Sequence, residues 1–421
     1  MRRIAVLAPE PIRPRMAGMG IRALEIARAL SVSGELGVRL IVPNNSVEAA
    51  EAASLAPASG LEIVSAPPER AGAAARGCDA GVVSGHAANW WFHQAPELPV
   101  ACDLYDPFPV ENLHYARALG PETARHDRET LALALARADT FLCASAEQRL
   151  FYAGALFRAG RIGAANFPED PALASLLAVV PFGVPAEPAR GDRAAGRRAV
   201  GAAADRPLVL FGGIYDWYEP DLLLDAWPRI AAAVPGAQLL FFANPNPEST
   251  PQRAFARASG RARKLDPEGR SILFSAWLPY AARADLYAAS DLTVSIASPG
   301  LESDLAYRTR LLDAAWGGVP SVAVAGGPLA AELEAAGAAR RVPRDAEALA
   351  GEVVGMLADV PRRAAASAAA RSFVVSRSWK AVAAPLAAWC RTASIDPGRL
   401  PLARSRPGSL WNRVFASHDV S

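Results

Sequence analysis

The sequence predicts an α/β protein built from two doubly wound, Rossmann-like domains that face each other across a cleft. Three observations predict it. Short apolar runs alternate with Ala-rich helical stretches along most of the chain, a polar Arg- and Gly-containing stretch interrupts them near the middle, and the series then begins again. Strands that read as continuous apolar runs are those of parallel sheets covered on both faces.

The first run, Ile4–Ala8, breaks at a Pro-rich loop. Gly18-Met-Gly20 follows, and then Ile21, Leu24, Ala27 and Leu30 at helical spacing, so the order is strand, glycine loop, helix. Further buried strands are expected at Val38–Val42, Leu61–Val64, Ala80–Val83, Pro99–Leu104 and Thr140–Ala144, with a helix over Thr130–Ala138. The pattern stops around Val179–Pro188. The second series comprises Pro207–Gly213, a helix over Asp221–Val234, Gln238–Ala243, Ser271–Ser275, Asp291–Ile296 and Ser321–Val324. Ser372–Thr392 reads as one helix carrying Trp379 and Trp389, followed by a Pro-, Arg- and Ser-containing tail. The expected organisation is an amino-terminal domain over 1–184, a linker over 185–205, a second domain over 206–371, and a segment over 372–421 that packs back towards the first domain.

Composition narrows the function. With 44 Lys+Arg against 42 Asp+Glu the net charge is +2, which lacks the cationic excess of a nucleic-acid binder. Only Lys264 and Lys380 are lysines, so any anion site must use arginine or backbone N–H groups. Cys78, Cys102, Cys143 and Cys390 are too scattered for a zinc site or a disulfide framework. The apolar run at the start is too short for a secretory segment, and no stretch is long enough to span a bilayer. The expected location is the cytoplasm, at the inner face of the membrane if the protein makes a peripheral membrane contact.

Between Pro207 and Pro320 four segments occur in order: LVLFGGIYDWYEPDLLLDAW, LLFFANPNPESTP, FSAWLPYAARADLYAASDLTVS and ESDLAYRTRLLDAAWGGVPSV. They resemble the carboxyl half of family-4-type glycosyltransferases with the GT-B fold, in particular the subgroup with a Gly-Gly-Ile-Tyr-Asp-Trp turn and an Arg-Thr-Arg helix. The amino half agrees through Gly18-Met-Gly-Ile-Arg22, Asp103-Leu-Tyr-Asp-Pro107 and Ala144–Arg149. The resemblance implies a metal-independent, retaining enzyme without a cofactor. It would move a sugar from a nucleotide diphosphate donor to a carbohydrate or lipid-linked acceptor, in surface-polysaccharide assembly.

A leaving diphosphate gains charge as the glycosidic bond breaks, so donors must be aimed at it. Arg308 and Arg310 lie near the start of a helix that ends at Gly317-Gly318, and a helix N-terminus adds free N–H groups. Arg308 is the preferred diphosphate residue. Arg310 is open to either that role or a surface pair with Asp304 or Asp313. In the family a Glu-x7-Glu pattern spans this helix. Asp313 stands at the second Glu, expected on the ribose hydroxyls; eight residues back is Leu305, and Glu302 is the nearest substitute as the catalytic sugar contact. Where relatives hold phosphate with Arg or Lys after the first strand of this domain, the chain has Gly213 and Tyr218. Gly213 and Asp216 are expected beside the nucleotide. Trp217, Tyr218 and Trp277 either stack on a sugar or base or pack beneath their loops. Gly18 and Gly20 would let the backbone approach the diphosphate from the other domain, although a plain tight turn has the same sequence.

On the acceptor side, Tyr105 occupies the place of a His found in many family members, and Asp103 or Asp106 would orient an acceptor hydroxyl. Asp106 reads equally as a cap for the turn before Pro107. His86, at a strand end, faces the acceptor or is a hydrogen-bonded loop residue. Two rivals stand beside the transferase: a non-catalytic GT-B scaffold, and a two-Rossmann oxidoreductase whose Gly-x-Gly-x-x-Gly signature here lacks its third glycine.

Overall fold

A computed structural model describes residues 1–43, 51–52, 55, 60–95, 97–243 and 250–400. The chain divides into two compact units, one formed by Met1–Phe182 with the segment from Trp379 onward, the other by Gly183–Ser378.

The amino-terminal unit holds a parallel sheet of β1 (Arg2–Leu7), β2 (Leu36–Val42), β3 (Leu61–Ser65), β4 (Ala80–Ser84), β5 (Val100–Asp103), β6 (Thr140–Cys143) and β7 (Leu177–Val179) in the order β3-β2-β1-β4-β5-β6-β7. The central strands are buried along their length, as their apolar runs require. The chain reverses direction across the sheet between β1 and β4, which makes the C-terminal ends of those strands the switch point where ligands bind in such folds. Gly81 of β4 lies so close to Trp91 that a Cβ there would come within 2.2 Å of the indole. Helices Trp379–Val382 and Ala384–Thr392 pack on this unit, against helix Gly18–Ser31 and against β1 and β7.

The carboxyl-terminal unit repeats the plan with β8 (Leu208–Gly213), β9 (Gln238–Phe242), β10 (Ile272–Ser275), β11 (Leu292–Ile296), β12 (Ser321–Val324) and β13 (Ala339–Arg341), ordered β10-β9-β8-β11-β12-β13. The pairing of β8 with β9 slips between Leu210 and Gly212, and Gly212 takes φ +87°, so β8 ends in a bulge at its switch point.

Several expectations need correction. The stretch 185–205, read as a linker, belongs to the carboxyl-terminal unit. It forms a helix over Arg193–Val200, capped by Asp192 and ended by left-handed Gly201. Gly191 and Gly196 let it lie against Ala284 and Asp285, where a Cβ would meet backbone at 2.0 and 2.1 Å. The single helix expected over Ser372–Thr392 is three pieces: helix Val360–Val374 ends at the border between the units, and two short helices follow. Strands β7 and β13, three residues each, were absent from the sequence reading. Within the expected segment LLFFANPNPESTP, residues 244–249 lie outside the described residues, as does the tail from 401.

Candidate active site

In the carboxyl-terminal unit, the C-terminal end of β8 is covered by an arginine from elsewhere in the chain. Arg310 Nη1 donates to the carbonyl of Phe211 at 3.0 Å and Nη2 to that of Gly213 at 2.9 Å, both at the bulge. Its guanidinium lies 3.8 Å from the centroid of the Tyr218 ring, and that of Arg308 lies 5.0 Å from the same ring. Tyr218 is held in place by an antiparallel bridge to Ala297 after β11. A guanidinium carries five N–H groups in a fixed fork, so two bonds to carbonyls leave Arg310 three further donors on a half-buried side chain.

Arg308 is differently placed. Its Nη2 donates to Glu302 Oε2 at 2.6 Å, and both side chains are almost completely buried. The pair neutralises itself. Arg308, expected first at the diphosphate, thus pairs with a carboxylate in the interior, and the same bond engages Glu302, expected at the donor sugar. Glu302 Oε1 is buried without a hydrogen-bond partner among the described residues.

The helix expected to start near Arg308 and end at Gly317-Gly318 is Thr309–Trp316, and Glu302 stands on a separate turn before it. Leu301–Leu305 forms one short turn after Gly300 (φ +144°), the chain extends through Ala306, and Thr309–Trp316 starts anew with Arg308 as its N-cap residue. Gly327 explains the break. It approaches so closely that a Cβ would stand 2.5 Å from the Ala306 carbonyl and 2.6 Å from that of Ser303.

Asp313 shares a face of helix Thr309–Trp316 with Arg310, one turn further on. Its Oδ1 lies 3.8 Å from Arg283 Nε. Gly213 supports Trp277, whose ring would come within 2.6 Å of a Cβ at that position, so Trp277 packs under the loop. Asp216, expected beside the nucleotide, uses both oxygens elsewhere: Oδ1 accepts from the Ala254 N–H at 2.9 Å and Oδ2 from Arg253 Nε at 2.8 Å, capping helix Arg253–Leu265.

In the amino-terminal unit the decisive residue is one to which the sequence reading gave no role. Arg22, buried, forks onto Asp103 (Nε to Oδ2 2.6 Å, Nη2 to Oδ1 3.0 Å) and also donates to the carbonyls of Val180 and Pro181. Asp103, expected to orient an acceptor hydroxyl, is thereby locked; its Oδ1 also accepts from the Tyr105 N–H at 3.2 Å. The signal was available, a charge among the apolar positions of the first helix, but its partner lies 81 residues away. A small cavity at the β1/β4 switch point is lined by this pair with Leu7, Met19, Ala23 and Ser84.

Glu10 was also missed. Its Oε1 accepts from the Gly20 N–H at 2.6 Å, so a carboxylate already sits at the start of helix Gly18–Ser31, where the two glycines were expected to approach a diphosphate. Burial pushes Glu10 up to about 7, against the pull of the Gly20 bond and Arg13, with Asp106 pushing further up. Gly18 faces the Tyr105 hydroxyl, 3.8 Å from where its Cβ would be. Tyr105 stacks on Arg22 at 4.6 Å, and burial raises its phenol well above the usual range. Asp106 follows in the bend before helix Phe108–Glu111, whose N-cap residue is Pro107.

His86 is a hydrogen-bonded loop residue. Nε2 lies 2.9 Å from buried Asp127, Nδ1 3.3 Å from Thr130 Oγ1, and the ring stacks on His126 at 4.8 Å. Among the described residues no three His, Cys, Asp or Glu side chains are placed to hold a metal ion, and no helix is long and apolar enough to cross a membrane.

Both units, with their repeated strand order, match solved structures over nearly the whole chain. HepE of Anabaena, solved with UDP and glucose, superposes with a TM-score of 0.68 at 16% identity, over 93% of this chain and 100% of its own. The chain has the GT-B fold. Sucrose-phosphate synthase of Thermosynechococcus elongatus shares this GT-B fold with a TM-score of 0.63 at 17% identity (93% and 99% covered). WaaG, a glycosyltransferase involved in lipopolysaccharide biosynthesis, does so with a TM-score of 0.59 at 14% identity (93% and 99% covered). No family model and no curated protein sequence matches the chain.

Proposed function

We propose that the protein is a retaining, metal-independent glycosyltransferase that transfers a sugar from a nucleotide diphosphate donor to a carbohydrate or lipid-linked acceptor. The observation that carries this reading is the position of Arg310. Family-4-type enzymes, which the sequence resembles, hold phosphate with a cation placed after the first strand of this domain. Here Gly213 and Tyr218 stand in those positions, and Arg310 brings a guanidinium to the same strand end from helix Thr309–Trp316. GT-B neighbours solved with UDP and UDP-glucose support a nucleotide-sugar donor.

In this mechanism the bond from the anomeric carbon to the diphosphate breaks with its electron pair going to the phosphate oxygen. The acceptor oxygen bonds to the anomeric carbon, and the acceptor proton passes to the leaving phosphate. Arg310 stabilises the charge that grows on the diphosphate. Asp313, one turn along the same helix face, accepts from the ribose hydroxyls. Because the leaving phosphate takes the proton, Tyr105 in place of the family's His is compatible with turnover. We place the protein in surface-polysaccharide assembly in the cytoplasm, at the inner membrane face, on the subgroup resemblance; the likeness to WaaG, a glycosyltransferase involved in lipopolysaccharide biosynthesis, supports the polysaccharide part of that reading.

A second reading, a non-catalytic scaffold, is favoured by one observation: the pairs Glu302–Arg308 and Asp103–Arg22 tie up four charged groups that a site would use. Incubation with UDP-, GDP-, ADP- and dTDP-sugars separates the two. Slow release of nucleoside diphosphate supports the transferase; nucleotide binding or inertness with no release from any sugar supports the scaffold.

A further inference from the structure

The carboxylate assigned to the ribose forms an ion pair with a cation that rests on two aromatic rings. The Arg283 guanidinium lies 3.7 Å from the Tyr280 centroid and 4.7 Å from that of Trp316, and its Nε is 3.8 Å from Asp313 Oδ1. Trp316 is pinned in turn, its indole N–H donating to the Glu187 carbonyl at 2.9 Å. Arg283 and Asp313 are both largely buried, at 14% and 20% exposure, so their attraction is only weakly screened.

Each part has a consequence. An aspartate is one carbon shorter than the glutamate of the family pattern, so its carboxylate reaches the ribose only if its rotamer is fixed. A flexible cation would not fix it. A guanidinium resting on two rings draws it to one side, because its position is set by the rings before any ligand arrives. An ionised carboxylate has about four lone-pair sites, so pairing with Arg283 leaves it able to accept from a hydroxyl. Phosphate at Arg310 and ribose at Asp313 are one helical turn apart on the same face.

We infer that Arg283 is a positioning residue that aims Asp313 at the ribose 2′-hydroxyl, and that the site thereby selects ribonucleotide over deoxyribonucleotide diphosphates. The inference deepens the proposed function and rests on it. The donor class is then a uridine, guanosine or adenosine diphosphate sugar, and a thymidine diphosphate sugar is disfavoured.

The test is calorimetric titration of the full chain with UDP, GDP and ADP and with their 2′-deoxy forms, comparing the parent with Arg283→Met and Asp313→Asn. Methionine keeps an apolar stem beside the rings and removes the charge. The parent should prefer the ribonucleotide by roughly tenfold or more, the worth of one hydrogen bond to a charged group. Arg283→Met should lose that preference by weakening ribonucleotide binding more than 2′-deoxy binding, and Asp313→Asn should do the same, the 3′-hydroxyl being common to both forms. An equal loss for both nucleotide forms, or a ribose preference that survives Arg283→Met, overturns the inference. Should Arg283→Met melt far below the parent, Arg283→Lys, which keeps a charge without a flat fork, is read by the same two outcomes. A parent that binds no nucleotide refutes the proposed function and this inference together. One that binds both forms equally refutes only the inference.

Discussion

Replacing Arg308 with methionine should cost stability before it costs anything else. The Arg308–Glu302 bond is 2.6 Å long between side chains that are 3% and 4% exposed, so water cannot solvate whichever charge is left behind. Charge centres about 4 Å apart attract by about 4 kcal/mol at an effective dielectric of 20, and breaking one half of such buried pairs costs about 3–5 kcal/mol. At about 2–4 °C per kcal/mol for a domain of this size, the transition of the carboxyl-terminal unit should fall by roughly 6–20 °C. Scanning calorimetry on the parent, Arg308→Met, Glu302→Leu and the double variant measures this. Each single change should be severe and the double change should recover most of the loss, because the site tolerates apolar side chains of similar size once both charges are gone. If the double variant loses the sum of the two singles, the pair is not the unit of stability claimed.

Arg310→Met should behave in the opposite way, with a small change in melting and a nucleoside diphosphate affinity weakened about 10–100-fold by isothermal titration, the worth of one or two charge-assisted bonds. Glu10 provides a pH test. Its folded value of about 7 exceeds the ordinary 4.5, so the folded state holds an extra proton between them. The amino-terminal unit should therefore lose stability as pH rises from about 4.5 to about 7. Glu10→Gln should flatten that slope and raise the melting temperature at pH 8 more than at pH 5; a lower melting temperature at pH 8 would mean that the ionised carboxylate is a net stabilising cap. Gly213→Ala drives a Cβ to 2.6 Å from the Trp277 ring and should cost about 1–3 kcal/mol by chemical denaturation.

The fold was legible because buried parallel strands announce themselves as unbroken apolar runs, as in β4, β6 and β9, where every residue is buried. Strand β13 escaped because Ala-Arg-Arg contains no apolar run, and β7 because its run, Leu176–Val180, merges into the Pro-rich stretch where the pattern stops. The helix Arg193–Val200 was hidden by its composition. Its polar arginines and glycines suggest a linker, yet those glycines allow the close packing and Arg197 is buried on Asp291. The site was legible in residue type and not in partnership. Arg310 reaches Phe211 across 99 positions and Arg22 reaches Asp103 across 81, and no local spacing encodes such distances. Sequence spacing therefore favoured Arg308 for phosphate, whereas burial against Glu302 favours Arg310.

In the proposed enzyme Arg310 supplies, from a helix, the phosphate-holding charge that family-4-type enzymes supply from a strand end. Titration of the full chain with UDP, GDP and ADP, repeated with Arg310→Met, tests it most directly. At least one of them should bind the parent, with an affinity that falls at least about tenfold in the variant. Equal binding by both proteins, or no binding of any of the three to the parent, would contradict it.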